Sequence, residues 1–201
     1  MDFIYEDDEA IPNALCDKLV EFFEKNREIV EEGSVAVSDE ARVIKSYKKN
    51  QELFLNDDTC TSEIEEIDQC CIKSLNKYIK HLQEKSIDKT NSISRSVIRD
   101  TIYRFSLTTP KIQKNVVGSF FDWHSDFSIV NEKRIIHFIF YLSDLDDDAG
   151  GETEFSTGRV VKPKKGKILI FPCTFFHVHR GKPVLKGIKY ILNVMAVDPN
   201  E

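Results

Sequence analysis

The order of apolar and polar positions divides the chain near residue 97. After Pro12 and Asn13, Leu15, Leu19, Phe22 and Phe23 recur at helical spacing, and Ile64, Ile67, Cys71, Leu75, Tyr78, Ile79 and Leu82 do so again. Each set marks one apolar face of an amphipathic helix. Between them residues 33–61 are mixed and polar, and "QEKSIDKTNSIS" at 83–94 reads as a solvated connection. From Val97 onward the period shortens. The runs "VIRDTIYRFS", "RIIHFIFYLS", "GRVVKP", "GKILIFP" and "IKYILNVMAV" predict short strands. Seven of the eight glycines lie beyond residue 117, where turns must therefore be frequent. The pattern predicts an α+β chain with a mainly β core, a sandwich or barrel with the N-terminal helices packed on its outside. We read 1–201 as one domain, with 1–96 as helical support and variable loops and 97–201 as the β core.

Composition narrows the function classes. A formal charge of −6 argues against a protein whose main task is holding nucleic acid, because phosphate binding draws on clustered Lys and Arg. No apolar run approaches the roughly 18 residues that span a bilayer, and "MDFIYEDDEA" lacks the basic and apolar regions of a secretion signal. Cysteines 16, 60, 70, 71 and 173 are odd in number and show no C-x-x-C spacing, so they read as reduced thiols. The expectation is an intracellular, cytoplasmic protein with neither membrane nor nucleic-acid partners. Its oligomeric state is left open.

Candidate chemistry begins with "FFDWHSDFSIV" at 120–130. His124 and Asp126 stand two apart, and on a strand such residues share a face. A neutral imidazole with a carboxylate is a mixed N/O donor set suited to iron, zinc or manganese. Alone, such a pair is more often a hydrogen-bonded structural couple than a metal site. His81 closes an amphipathic helix and reads as a surface residue.

The order of segments downstream adds a resemblance. Tyr141 is followed by "AGGETEF" (149–155), "KPKKGKILIFP" (162–172), "HVHRGKPV" (177–184) and "GIKY" (187–190). Residues 97–197 resemble the catalytic domain of the iron(II)- and 2-oxoglutarate-dependent oxygenases, and most closely their prolyl 4-hydroxylase branch. The N-terminal half is similar only loosely, through "VIKSYKKNQELFL". The resemblance implies a double-stranded β-helix, or jelly roll, that binds iron(II), takes 2-oxoglutarate and O2 as cosubstrates, and in this branch uses ascorbate as well.

It also implies a site. His124, Asp126 and a distal histidine would ligate the metal. His177 and His179 compete for the distal place, and His179 alone stands in H-x-G-x-P-V register, ten residues before Lys189. Lys189 and Tyr141 would hold the distal carboxylate of 2-oxoglutarate. His137, four residues before Tyr141 on the same strand face, would sit beside the cosubstrate where the family commonly has a small hydroxyl residue. Arg134 matches a substrate-contacting arginine. Phe121 and Met195 replace a tyrosine and a tryptophan that contact substrate in the family, and Trp123 offers an alternative aromatic wall. The leading expectation is a hydroxylase of a prolyl residue in a peptide or protein. The alternatives are the same chemistry on a free amino acid or other small molecule, and a non-catalytic metal-binding jelly-roll module.

Overall fold

The computed structural model describes residues 3–37, 40–85, 105–127 and 134–199, with the side chains of 57–59 left aside. Helix α1 (Asn13–Lys25) starts directly after Pro12 and buries Leu15, Cys16, Leu19 and Phe23, so one stripe carries its packing. Helix α2 (Asp57–Lys85) begins seven residues before the periodicity from Ile64 announces it. The added turn bends at Cys60, where the backbone leaves helical geometry (φ −136°, ψ 25°). Ile67, Cys71, Leu75, Tyr78 and Ile79 form its buried face. His81 is half-buried, with its ring 5.1 Å from that of Tyr5.

The strands of the first half are β1 (Tyr5–Asp7), β2 (Glu31–Glu32), β3 (Val35–Val37), β4 (Glu40–Arg42), β5 (Lys48–Lys49) and β6 (Gln51–Phe54). Those of the second are β7 (Ser106–Leu107), β8 (Lys111–Asn115), β9 (Phe120–His124), β10 (Arg134–Tyr141) and β11 (Thr153–Phe155), then β12 (Val160–Val161), β13 (Ile168–Pro172), β14 (His179–Gly181) and β15 (Lys189–Val197). Two antiparallel sheets result. The larger runs β1-β13-β10-β15-β8-β6-β2, with β7 on β15, and the smaller runs β12-β11-β14-β9-β5. Four of the five strand runs read from the sequence appear. The fifth, "VIRDTIYRFS", lies mostly outside the described residues, and only its last residue enters β7. The polar stretch 33–61 does not stay irregular: it supplies β3 to β6, with β5 the edge strand of the smaller sheet and β6 paired between β8 and β2 of the larger.

Strand periodicity explains the jelly roll. Along β10, Ile136, Phe138 and Phe140 pack outward with the helices, while Ile139 and Tyr141 pack inward with Phe155 and Val161 of the smaller sheet. β15 divides likewise: Tyr190, Leu192, Val194 and Ala196 face the helices, and Ile191 faces the interior. Both faces are covered, which is why these runs are continuously apolar rather than alternating. Glu24 of α1 clasps the helix to the sheet by accepting from Lys114 Nζ at 2.6 Å and Tyr190 Oη at 2.6 Å. The Lys114 and Tyr190 bonds outweigh the upward push of burial and hold its carboxyl at about 2. All five cysteines are free, and four of them are buried. No helix among the described residues is long and apolar enough to cross a membrane.

Gly150 and Gly151 turn the chain between β10 and β11 with φ of 70° and 74°. A Cβ at Gly150 would stand 2.3 Å from the backbone oxygen of Pro183, so the turn needs glycine for both conformation and space. Gly150→Ala is expected to cost at least about 1–2 kcal/mol from the left-handed backbone alone. A thermal melt should show the midpoint falling by roughly 2–8 °C, and an unchanged midpoint would contradict the placement of this turn.

Candidate active site

Antiparallel pairing of β9 with β14 sets His124 opposite His179 and brings their rings to 4.3 Å. Asp126 joins them from just past the end of β9 at His124. Between the two, Ser125 Oγ donates to Thr174 O at 3.1 Å and accepts from Phe127 N at 3.1 Å. The two-residue spacing brings both side chains to one place, as expected of a shared face, although the strand pairing itself stops at His124. One ligand atom from each of the three residues lies within 4.8 Å of the others. Asp126 Oδ2 is 3.5 Å from His179 Nε2, and Oδ1 is 3.9 Å from His124 Nε2. His177 is not in this group; its Nδ1 pairs with Thr174 Oγ1 at 2.8 Å.

Backbone carbonyls orient both imidazoles. His124 Nδ1 donates to Asp122 O at 2.7 Å and His179 Nδ1 to His177 O at 2.9 Å, which leaves each Nε2 lone pair directed inward. Burial, with the charge of His179 beside it, pulls His124 down to about 3, and burial pulls His179 down as well. Burial pushes the Asp126 carboxyl up, but His137 and His179 outweigh it and hold the group well below the usual carboxylate range. The result is two neutral imidazoles and an ionised carboxylate brought together at the cavity wall. That donor set fits a divalent ion of the iron type, which it could take without displacing a proton.

A further residue steadies the carboxylate. His137 Nδ1 stands 2.7 Å from Asp126 Oδ2, and its Nε2 stands 3.0 Å from Asn193 Oδ1. Expected beside the cosubstrate, His137 does line the same cavity, yet its closest polar contacts are a candidate ligand and a buried amide. One Asp126 oxygen is thereby engaged, leaving the other free to ligate.

The cavity occupies about 590 Å³ and reaches from this cluster to Lys189. Lys189 is 4% exposed, and its Nζ donates to Gly151 O at 2.8 Å. Burial lowers it to about 8, with Glu152 partly offsetting. A buried ammonium with one hydrogen-bond acceptor among the described residues suits an entering carboxylate. Tyr141 is fully buried and is not on the cavity surface; its hydroxyl meets Thr153 Oγ1 at 2.7 Å, and Thr153 is on that surface.

Three of the four residues expected at the substrate side, Phe121, Arg134 and Met195, line the cavity. Trp123 does not. Its ring lies against the Arg180 guanidinium at 4.6 Å, as alternation along β9 dictates for the neighbour of His124. Phe121 stacks on His124 with ring centroids 3.5 Å apart. Sequence reasoning missed one wall entirely: Lys48, Lys111 and Gln113 reach the cavity from β5 and β8. The available signal was the alternation of long polar residues at 48, 50 and 52, and again at 111, 113 and 115.

Comparison with known proteins agrees with this geometry. The family model of the 2OG-Fe(II) oxygenase superfamily matches residues 111–195. No curated protein matches the chain. Among solved structures, the viral collagen prolyl hydroxylase of Paramecium Bursaria Chlorella virus-1, as its 2OG complex, superposes with a TM-score of 0.71 at 18% identity, over 97% of this chain and 96% of that one. A prolyl hydroxylase from Trichoplax adhaerens, in complex with a hypoxia inducible factor peptide fragment, gives 0.75 at 15% identity over 98% and 84%. A Pseudomonas putida prolyl-4-hydroxylase gives 0.66 at 14% identity over 100% and 95%. At these identities the likeness is one of fold.

Metal titration under anaerobic conditions should separate the histidines. His124→Ala and Asp126→Ala are expected to abolish tight Mn(II) or Fe(II) binding, and His177→Ala to retain it. His137→Ala should weaken binding by about 10–100-fold through the freed carboxylate. Equal affinity in His137→Ala and the unaltered protein would remove its orienting role.

Proposed function

We propose, from the match of residues 111–195 to the family model of the 2OG-Fe(II) oxygenase superfamily, that this chain is a dioxygenase of that kind hydroxylating a prolyl residue in a peptide or protein. The observation that carries this reading is the buried group of His124, Asp126 and His179 sharing one cavity with Lys189. The prolyl substrate is carried over from structural neighbours whose names include prolyl hydroxylase activity. Five free cysteines suit a reducing, intracellular compartment.

With metal, 2-oxoglutarate and O2 bound, such a centre supplies oxidative decarboxylation to succinate and CO2 coupled to insertion of one oxygen atom into a C–H bond. The chain does the rest. His124, Asp126 and His179 would hold the metal at the wall of the cavity. His137 would steady the Asp126 carboxylate through its Oδ2. Lys189 receives the distal carboxylate of 2-oxoglutarate, and Tyr141 fixes the Thr153 hydroxyl beside it. Phe121, Ile139 and Ile191 line the cavity with apolar surface and exclude water around the reacting carbon.

Turnover of 2-oxoglutarate to succinate, measured with iron(II) and O2, should rise on adding proline-containing peptides and gain 16 mass units on the peptide. Stimulation by free amino acids alone would redirect the assignment to a small-molecule substrate. No conversion, together with no 2-oxoglutarate binding, would leave a metal-binding module.

Lys189 makes the cosubstrate step pH-dependent in a fixed direction. Its ammonium is present below about 8 and is lost as pH rises through that value. Binding of 2-oxoglutarate should therefore weaken above pH 8, by up to about tenfold per unit, and Lys189→Met should remove the dependence along with most of the affinity. Calorimetry across pH 6.5–9.5 reads both, and a flat profile would argue that Lys189 does not meet the cosubstrate.

A further inference from the structure

The chain is acidic, with a formal charge of −6, yet its cavity is cationic. Lys48, Lys111, Arg134 and Lys189 line it against the single carboxylate of Asp126 among the described residues. The proposed chemistry accounts for part of this imbalance. Asp126 faces a divalent metal, and one dicarboxylate cosubstrate shared between that metal and Lys189 answers the charge there. Lys48, Lys111 and Arg134 are left over.

Lys48 and Lys111 belong to one built wall. Glu52, 3% exposed and behind the cavity surface, accepts from Lys48 Nζ at 2.5 Å, Gln113 Nε2 at 2.7 Å and Lys111 Nζ at 3.2 Å. One carboxylate thus serves two ammonium groups, and the wall keeps a net positive charge. Lys48 is itself 3% exposed, and its remaining contacts are Ser34 O at 2.9 Å and the Phe121 ring at 4.8 Å. That ring in turn stacks on His124 at 3.5 Å, so a single aromatic separates the ammonium from a candidate metal ligand. The wall is distinct from the cosubstrate end. The charged neighbours of Lys48 include Lys111, Glu52 and Asp126, whereas that of Lys189 is Glu152.

A purely structural clasp would explain the Lys48–Glu52 pair, since Lys48 lies on β5 of the smaller sheet and Glu52 on β6 of the larger. It would not explain the second ammonium. Burying an ion pair gains little over an apolar filling, and adding an excess cation to it gains less. An excess that faces a cavity has a use when an anion arrives from solution, because a desolvated wall focuses its field there.

We propose that the β5–β6–β8 wall is a subsite for a substrate carboxylate, supplied either by an Asp or Glu side chain near the target residue or by the α-carboxylate of a terminal or free amino acid. The inference rests on the oxygenase reading of the cavity and names the charge of what enters it. Lys48 and Lys111 supply the attraction, Glu52 and Gln113 hold them in place, and Phe121 positions the group beside the metal ligands.

The test uses the full chain loaded with Mn(II) and a non-decarboxylating 2-oxoglutarate analogue. Affinities are measured for proline-containing peptides carrying Glu or its isostere Gln on either side of the proline, and for free proline against prolinamide. At least one acid should bind roughly tenfold tighter than its amide, and which pair shows this tells side chain from α-carboxylate. The preference should shrink to threefold or less, as an order of magnitude, in Lys48→Met and in Lys111→Met. Equal affinities within every pair, no binding by any acidic arm, or a preference that survives in both variants would overturn the proposal. A clasp alone would lower the melting temperature of Lys48→Met and leave the acid-to-amide ratio unmoved. Lys111, the more exposed of the two, gives the reading if Lys48→Met fails to fold. Iron-dependent 2-oxoglutarate turnover without any acid preference would defeat this subsite and leave the oxygenase reading standing, whereas absence of turnover would strike the reading itself.

Discussion

The register of β9 on β14 is the constraint from which the centre follows. A pairing that sets His124 opposite His179 brings two imidazoles within reach of one ion, and a slip of one residue would turn one of them to the other face of the sheet. That register is itself held from both sides. β11 pairs with β14 so that Phe155 lies opposite His179, and β5 pairs with β9 so that Lys48 lies opposite Phe121. The smaller sheet is short-stranded and would be poorly specified alone. Its inward residues Phe155 and Val161 pack on Leu169 and Phe171 of the larger sheet, which supplies the missing definition.

Electrostatics then selects what the centre can hold. Two neutral imidazoles beside an ionised carboxylate form a donor set without competing protons near neutral pH. His137 stands between Asp126 and Asn193 and restrains a side chain that extends beyond the last residue of β9. A hydroxyl residue in its place could make one such contact but would be too short to span from the carboxylate to β15. His137 thus fixes the candidate ligand Asp126 at the cost of bulk inside the cavity.

Much of the second half was legible because its strands are buried on both faces. Continuous apolar runs at 138–142 and 168–171 leave little choice of structure, and the motif order around "AGGETEF" and "HVHRGKPV" carries a specific family likeness. The choice of His179 over His177 also came from motif register, and the structure groups His179 with the other two candidate ligands. What failed to show was of another kind. β5 and β6 are too short and too polar for an apolar period-2 pattern to stand out, leaving only a polar alternation, and their stability comes from neighbours remote in sequence, with Glu52 meeting Gln113 across 61 positions. The extra turn of α2 before Ile64 was hidden for a similar reason, since the residues preceding Ile64 carry no apolar stripe to announce a helix. Trp123 illustrates the limit of carrying a role by adjacency, because neighbours on a strand point apart.

The two halves of the chain accordingly divide the work of the cavity by physical necessity. Of the candidate ligands and Lys189, three sit on strands paired on both sides, His124 on β9, His179 on β14 and Lys189 on β15, while Asp126 follows the end of β9. The wall of Lys48 and Glu52 stands elsewhere in the fold, with β5 the edge strand of the smaller sheet and β6 paired between β8 and β2 of the larger. Lys48 has one paired strand beside it, β9, and reaches across to Glu52 of the other sheet. The polar wall read poorly from sequence therefore joins the two sheets and borders the strand that carries His124, so its charge is set where the cavity and the register of β9 meet.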